Sequence, residues 1–285
     1  MASLTADQIE DIEQRLRSGA YRDDPRAVFT PLRESAPVYF SKAWQAWLIT
    51  RHADVEQALR DTETFTSTGR LEKLLEPLDP KLREAVAPLI GHFSAGLQHS
   101  DPPEHTRIHG LVNRALAPAV VNRMRDVIQS FVDGLLDPLL ASGRMDLVRD
   151  FAEPLPVQVL GHVLGFTREE CERFRHWDDD QVAVLGSRSG RPELVPQARR
   201  SVDSMVGWLR QVTEVRRANP RDDLFSKLVA GLDAGTLRNE PELHGTYNAV
   251  LIGGHETTTG LISSAIMLLV RHPDQLERLR ADSSL

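Results

Sequence analysis

Residues Tyr247–His272 read YNAVLIGGHETTTGLISSAIMLLVRH. Apolar residues fill both ends, Ala249 to Ile252 and Leu261 to Val270. Between them lies the polar and small insert Gly253-Gly254-His255-Glu256-Thr257-Thr258-Thr259-Gly260. A helix that is apolar around most of its circumference belongs inside a protein. At helical rise this stretch spans about 39 Å, long enough to cross a domain. Adjacent glycines each cost roughly 1 kcal/mol in a helix interior, and the β-branched threonines add to that. A buried helix with such a defect, and a carboxylate within it, is expected to serve a site rather than stability.

Upstream of this stretch the pattern is mostly helical. Residues 6–18 have Ile9, Ile12 and Leu16 on one side of a charged helix. Val38 to Phe40 and Ala46 to Thr50 read as two short strands, followed by helical spacing from Asp54 to Arg60. From Thr62 to His99 periodicity is weak, apart from a helical piece near Lys81 to Ala87. Asp101 is placed to cap a helix, with Pro102 at its first position and Glu104 completing a capping box. That helix should run from His105 to Leu116. Val120, Met124, Val127, Ile128, Phe131, Leu135 and Leu139 recur at helical spacing, and further helices are expected at 151–166, 201–217 and from Leu224. Pro273 ends the long helix. The reading is mainly α with a small N-terminal β element, and no linker or repeat divides residues 1–285 into domains.

Bulk properties narrow the function. Hydrophobic residues make up 41% and charged residues 26% of the 285, as in a globular protein with a sizeable core. The net charge of −7 argues against nucleic acid or an anionic membrane as partner. The start, MASLTADQIEDIEQRL, shows no secretory signal, and Glu256 interrupts the apolar stretch, so no membrane span is expected. The single cysteine, Cys171, permits no internal disulfide and fits a reducing cytoplasm.

The insert is the first candidate site. His255-Glu256 would need a histidine at position 259 to form a zinc-protease motif, and that position is threonine. Glycines at 253 and 254 let something flat or bulky approach the backbone. Thr257 can bond back to the Gly253 carbonyl, and Glu256 beside hydroxyls can relay protons through water. The plainer alternative is a kinked core helix whose polar residues satisfy one another. His105 and His109, four apart, share a helix face. Periodicity alone reads them as surface histidines; they could instead contact an anionic group near the helix start, and a metal would need a third ligand that does not follow. Cys171 lies among Glu169, Glu170 and Glu172, which raise a thiol pKa and suit a small core residue.

These residues resemble a family. Gly253-Gly254-His255-Glu256-Thr257-Thr258 is similar to the central-helix motif of bacterial cytochromes P-450, and Asp101-Pro102-Pro103-Glu104-His105-Thr106-Arg107 to their helix-start signature. TRHADVEQALRDTETFTS (50–67), GRMDLVRDFAEPLPVQVLGHVLGF (143–166) and Pro220-Arg221-Asp222-Asp223-Leu224 follow in matching order, so the likeness runs along essentially the whole chain.

The resemblance implies a mainly helical fold holding haem b against the central helix. It also implies insertion of one oxygen atom from dioxygen into a small organic substrate, with electrons from a ferredoxin or similar carrier. Carried over by position, Glu256 and Thr257 would manage proton delivery, and Gly253 and Gly254 would leave room over the haem. His105 would contact a propionate. Position 109, usually arginine in the family, is His109 here, which weakens that contact.

A larger departure follows. The chain ends before the family's Glu-x-x-Arg helix and the glycine-rich loop that carries the iron-ligating cysteine, and Cys171 lies in the wrong context to replace it. The 285 residues therefore read as a single incomplete domain, inactive as it stands, with one side of the central helix uncovered. The alternative is a non-catalytic ligand-binding or interaction protein on the same fold. Substrate specificity would reside in segments 66–99 and 181–200, and Arg107 and Arg114 would help dock an acidic electron carrier.

Overall fold

The apolar stretch is one unbroken helix, Glu240–Arg271, and it begins well before Tyr247. Asn239 sets the start. Its side-chain oxygen accepts from the Glu242 backbone N–H at 3.0 Å, Pro241 occupies the first turn where no N–H is needed, and Glu240 and Glu242 face the helix dipole. Polar residues from Glu242 to Asn248 are buried in its first half, which is why periodicity alone places the start too late.

The computed structural model describes residues 3–76, 79–167, 169–173, 176–177, 180, 192–282 and 284. The chain divides into two compact units, Met1–Thr66 and Ser67–Leu285. In the first, helices α1 (Ala6–Ser18), α2 (Arg26–Ser35) and α3 (His52–Arg60) accompany an antiparallel pair, β1 (Val38–Ser41) and β2 (Ala46–Ile49), in the register Val38↔Ile49. Thr5 and Gln8 form a reciprocal capping box on α1. Ile12 and Leu16 of α1 pack with Val28 and Leu32 of α2 as the core of this unit.

Beside that core Glu13 is buried as a carboxylate. It accepts from the Tyr39 hydroxyl at 2.6 Å and from the backbone N–H groups of Lys42 and Ala43 at 3.0 and 2.6 Å. Burial alone would raise its pKa, but the hydrogen bonds, led by Tyr39, outweigh burial and hold it below the usual carboxylate value. Burial, then the hydrogen bond and charge of Glu13, push the Tyr39 phenol up to about 12. A pKa raised on folding stabilises the fold fully below the ordinary phenol value, and that contribution fades as pH rises towards the folded value. Absorbance titration of wild type against Tyr39→Phe isolates this phenol among the three tyrosines. The difference curve is expected to have its midpoint near 12. A midpoint at the ordinary value of about 10 would show that the Glu13 pair does not form.

The second unit is helical among its described residues. Its elements are α4 (Arg70–Leu75), α5 (Pro80–Ser94), a 3₁₀ turn (Leu97–His99), α6 (Glu104–Ala115), α7 (Pro118–Arg123) and α8 (Arg125–Leu140). A single π turn (Leu147–Ala152) then leads into α9 (Pro154–Leu164). The chain continues through α10 (Val195–Ala218), α11 (Leu224–Asp233), the long helix α12 (Glu240–Arg271) and α13 (Pro273–Ala281). The main core joins Ile108 and Val112 of α6, Leu160 and Leu164 of α9, and Met205 and Leu209 of α10. Phe225 and Leu228 of α11 and Leu243, Tyr247 and Leu251 of α12 complete it. Phe166, Phe225 and Tyr247 meet at centroid distances of 5.4, 6.2 and 6.0 Å, in tilted and edge-on arrangements.

Two local expectations are corrected. The helix expected along 120–139 breaks at Met124 into α7 and α8. Asp101 does not cap α6, which starts at Glu104 with Pro103 in the cap position. The Asp101 carboxylate accepts instead from the backbone N–H groups of Ser67 and Thr68, at 2.8 and 3.2 Å. Those partners are remote in sequence, and no local pattern announces them. Residues 181–191 of the expected specificity segment lie outside the described residues.

Candidate functional site

Thr257 donates from its hydroxyl to the Gly253 carbonyl, the back-bond expected from their spacing. Both residues are exposed, as is Glu256, whereas His255 is turned into the protein. The neighbouring glycines have different surroundings. A Cβ built on Gly253 would meet nothing within 4 Å, whereas one on Gly254 would lie 2.7 Å from Leu160 Cδ2 of α9. Successive helix residues point about 100° apart, so one glycine opens a face while the next admits a packed helix. The open face thus has a bare backbone at Gly253 with a carboxylate and a hydroxyl beside it.

On α6, His105 and His109 stack at 5.1 Å with ring planes 18° apart, and His109 Nδ1 lies 3.2 Å from Asn113 Nδ2. The shared face read from their spacing is therefore present. Among the described residues no cluster of three His, Cys, Asp or Glu side chains suits a metal ion.

Arg107 fixes α6 to the start of α12. Its Nη1 and Nη2 donate to the two carboxylate oxygens of Glu242 at 2.9 and 2.7 Å, and Nη1 also donates to the Thr236 carbonyl. Glu242 accepts further from the Arg238 backbone N–H at 2.8 Å, and Arg238 pairs with Glu104. Burial would raise the Glu242 pKa, but Arg107 first and then Arg238 lower it overall. Arg107, expected to help dock a carrier, is half-buried and engaged by Glu242, whereas Arg114 is exposed. No local pattern announces the clamp, whose partners are 135 residues apart.

Cys171 is only 3% exposed and belongs to the main core. Burial first, then Glu170 and Glu172, push its thiol up to about 11, in the direction expected from its neighbours. Beyond the insert, α12 turns its apolar residues outward, with Leu261 and Val270 at 69% and 67% exposure. Met267 and Leu268 are also exposed, giving the uncovered apolar face expected on the central helix. No described helix is long and apolar enough to cross a membrane.

No protein-family model matches the chain. It is 37% identical over 242 residues to cytochrome P-450 107B1 of Saccharopolyspora erythraea, covering 84% of this chain and 57% of that one. The cytochrome P-450 monooxygenase PikC of Streptomyces venezuelae is 33% identical over 268 residues, covering 92% of this chain and 60% of that protein. The crystal structure of a myxobacterial cytochrome P-450 in complex with myristic acid superposes with a TM-score of 0.80 at 30% identity. That match covers 95% of this chain and 66% of the crystallised one. The chain belongs to the cytochrome P-450 family. It spans about three fifths of the length of the curated cytochromes P-450 it matches.

Haem is the cofactor of this family, and the residues fit it on one side only. The bare backbone at Gly253 leaves space for a flat group, and the two stacked imidazoles of α6 carry the kind of N–H donor that suits carboxylates. An axial sulfur is another matter. A Cβ on Gly161 would lie 2.1 Å from Cys171 Sγ, so the only thiol is sealed against α9 and cannot ligate an iron over α12.

Proposed function

We propose that these residues form the distal wall and part of the propionate site of a haem-dependent monooxygenase. The reaction is insertion of one oxygen atom of dioxygen into a small organic substrate, with electrons from a ferredoxin-type carrier, in the cytoplasm. Residues 1–285 form one incomplete domain of that fold. The observation that carries the reading is the Thr257–Gly253 back-bond, placed where an apolar helix turns polar and open.

Haem, when bound, supplies the dioxygen chemistry. The chain's own residues supply space, protons and charge. Gly253 leaves the backbone approachable. By engaging the Gly253 carbonyl, Thr257 keeps its hydroxyl at a fixed place on the open face. Glu256 is an exposed carboxylate next to that hydroxyl and can exchange protons with water. His105 and His109 would donate to the propionates of a bound haem. A neutral imidazole offers one N–H where arginine offers a charged fork, so this contact is weaker than an arginine pair. Segments 66–99 and 181–200 set the substrate.

The 285-residue chain lacks the thiolate and is expected to bind haem weakly and not to turn over. Its reduced, CO-bound difference spectrum should show no thiolate-type Soret band. A thiolate band from the purified chain would overturn this reading, because Cys171 is its only cysteine.

A further inference from the structure

We propose that the cavity between α8, α9 and the segment around Cys171 binds a small neutral aromatic molecule carrying one hydroxyl or N–H group. The cavity has a volume of about 360 Å³, within the range of small-molecule sites. Its interior is mostly apolar. Phe131 of α8, Val157 of α9 and Phe166 line it, and the Phe131 ring stands edge-on to His162 at 6.3 Å. Aromatic rings prefer such edge and offset contacts, so a flat ligand gains more here than a flexible chain does.

Polar groups are few and graded with depth. Gln158 is half-buried in the wall, whereas His162 and Glu172 are exposed at the rim. Gln158 offers both a donor and an acceptor to one polar group on a ligand. A charged group placed deeper would be desolvated with no partner, and an anion would meet Glu172 on entering. Both considerations select a neutral molecule.

The wall at Cys171 depends on a glycine. With no side chain at Gly161, the Cys171 sulfur sits close against α9, leaving the depth of the cavity clear. The raised thiol pKa keeps that wall uncharged near neutrality. None of Gly253, Glu256 or Thr257 lines the cavity, so it is separate from the open face of α12.

The test uses 2-naphthol and the full 285-residue chain. Because Cys171 is the only cysteine, its modification by methyl methanethiosulfonate at about pH 8, below the phenol range so that the naphthol stays neutral, reports on this wall alone. Naphthol is expected to slow that modification by the factor 1 + [L]/Kd that single-site occupancy dictates. Val157→Trp, which fills the cavity, should abolish both binding and protection. Gln158→Leu should weaken binding about two- to tenfold through loss of one hydrogen bond. Should the tryptophan variant fail to fold by circular dichroism, the Gln158 variant carries the test. Absence of binding, binding without protection of Cys171, or unchanged affinity in the folded variants would each overturn the proposal.

Discussion

Replacing Asp223 by alanine is expected to destabilise the second unit by about 4 kcal/mol, two effects acting together. Asp223 caps α11, accepting from the Ser226 backbone N–H at 2.7 Å. It also faces the guanidinium of Arg216 at 3.3 Å, with both side chains nearly closed to water at 5% and 6% exposure. Losing the cap costs about 1 kcal/mol. Leaving a buried guanidinium without its counter-charge costs about 3 kcal/mol more. Arg216 is also tied to the Gly165 carbonyl and lies 5.8 Å over the Phe166 ring, so it cannot swing out to solvent without loosening the core. Gly165 is constrained in turn. Its φ of +75° suits glycine, and a Cβ there would fall 1.9 Å from Asp223 Oδ2.

Urea unfolding of four variants, Asp223→Ala, Asp223→Asn, Arg216→Met and the Arg216→Met/Asp223→Asn double, separates these effects. Asp223→Asn keeps the cap and should cost about 1 kcal/mol less than alanine. Arg216→Met combined with Asp223→Asn removes both charges and should cost less than the sum of its parts, since a buried pair contributes little against an apolar replacement. For a unit of this size the alanine variant should lose roughly 8 to 16 °C in Tm. A loss of about 2 kcal/mol or less would mean that the pair is not dry, because the cap accounts for about 1 kcal/mol and a surface ion pair for at most about 1 kcal/mol.

What could be read in the sequence follows a physical divide. Features set within one turn of helix were legible. Thr257 reaches Gly253 and His105 stacks on His109 because residues four apart share a helix face. The apolar run of α12 and the start of α11 at Asp223 were readable for the same reason. Features set by a remote partner were not. Glu242, His244 and Asn248 look like surface residues by type but are buried, because other helices close over the first half of α12. Asp101 has the residue pattern of a cap, yet its carboxylate is taken by Ser67 and Thr68. Arg107 reads as a free cation until Glu242 is placed beside it. Gly253 and Gly254 are identical in sequence terms, and only the position of Leu160 tells them apart.

The glycines of α12 turn that divide into a change of sign. Alanine favours a helix interior over glycine by about 1 kcal/mol, so each Gly→Ala change in α12 begins with that gain. At Gly253 nothing opposes it within 4 Å, and the substitution is expected to stabilise the chain by about 0.5 to 1 kcal/mol. At Gly254 the new methyl meets only the end of Leu160, a flexible side chain that can shift. Gly245 is the opposite case. Its Cβ would lie 2.6 Å from both Cα and N of Gly96, and a Cβ on Gly96 would lie 2.7 Å from the Gly245 carbonyl oxygen. Backbone meets backbone there, and no rotamer change relieves the contact. Gly245→Ala must therefore push the Leu97–His99 turn away from α12, at a net cost of about 2 kcal/mol after the helix gain is counted. That turn also packs against α6, so its displacement would disturb the helix that carries His105 and His109. Denaturant midpoints for the three alanine variants should rank Gly253 above wild type and Gly245 far below it, with Gly254 between. A neutral Gly245→Ala would show that α12 and the turn are not in contact, and a destabilised Gly253→Ala would mean that its face is covered rather than open.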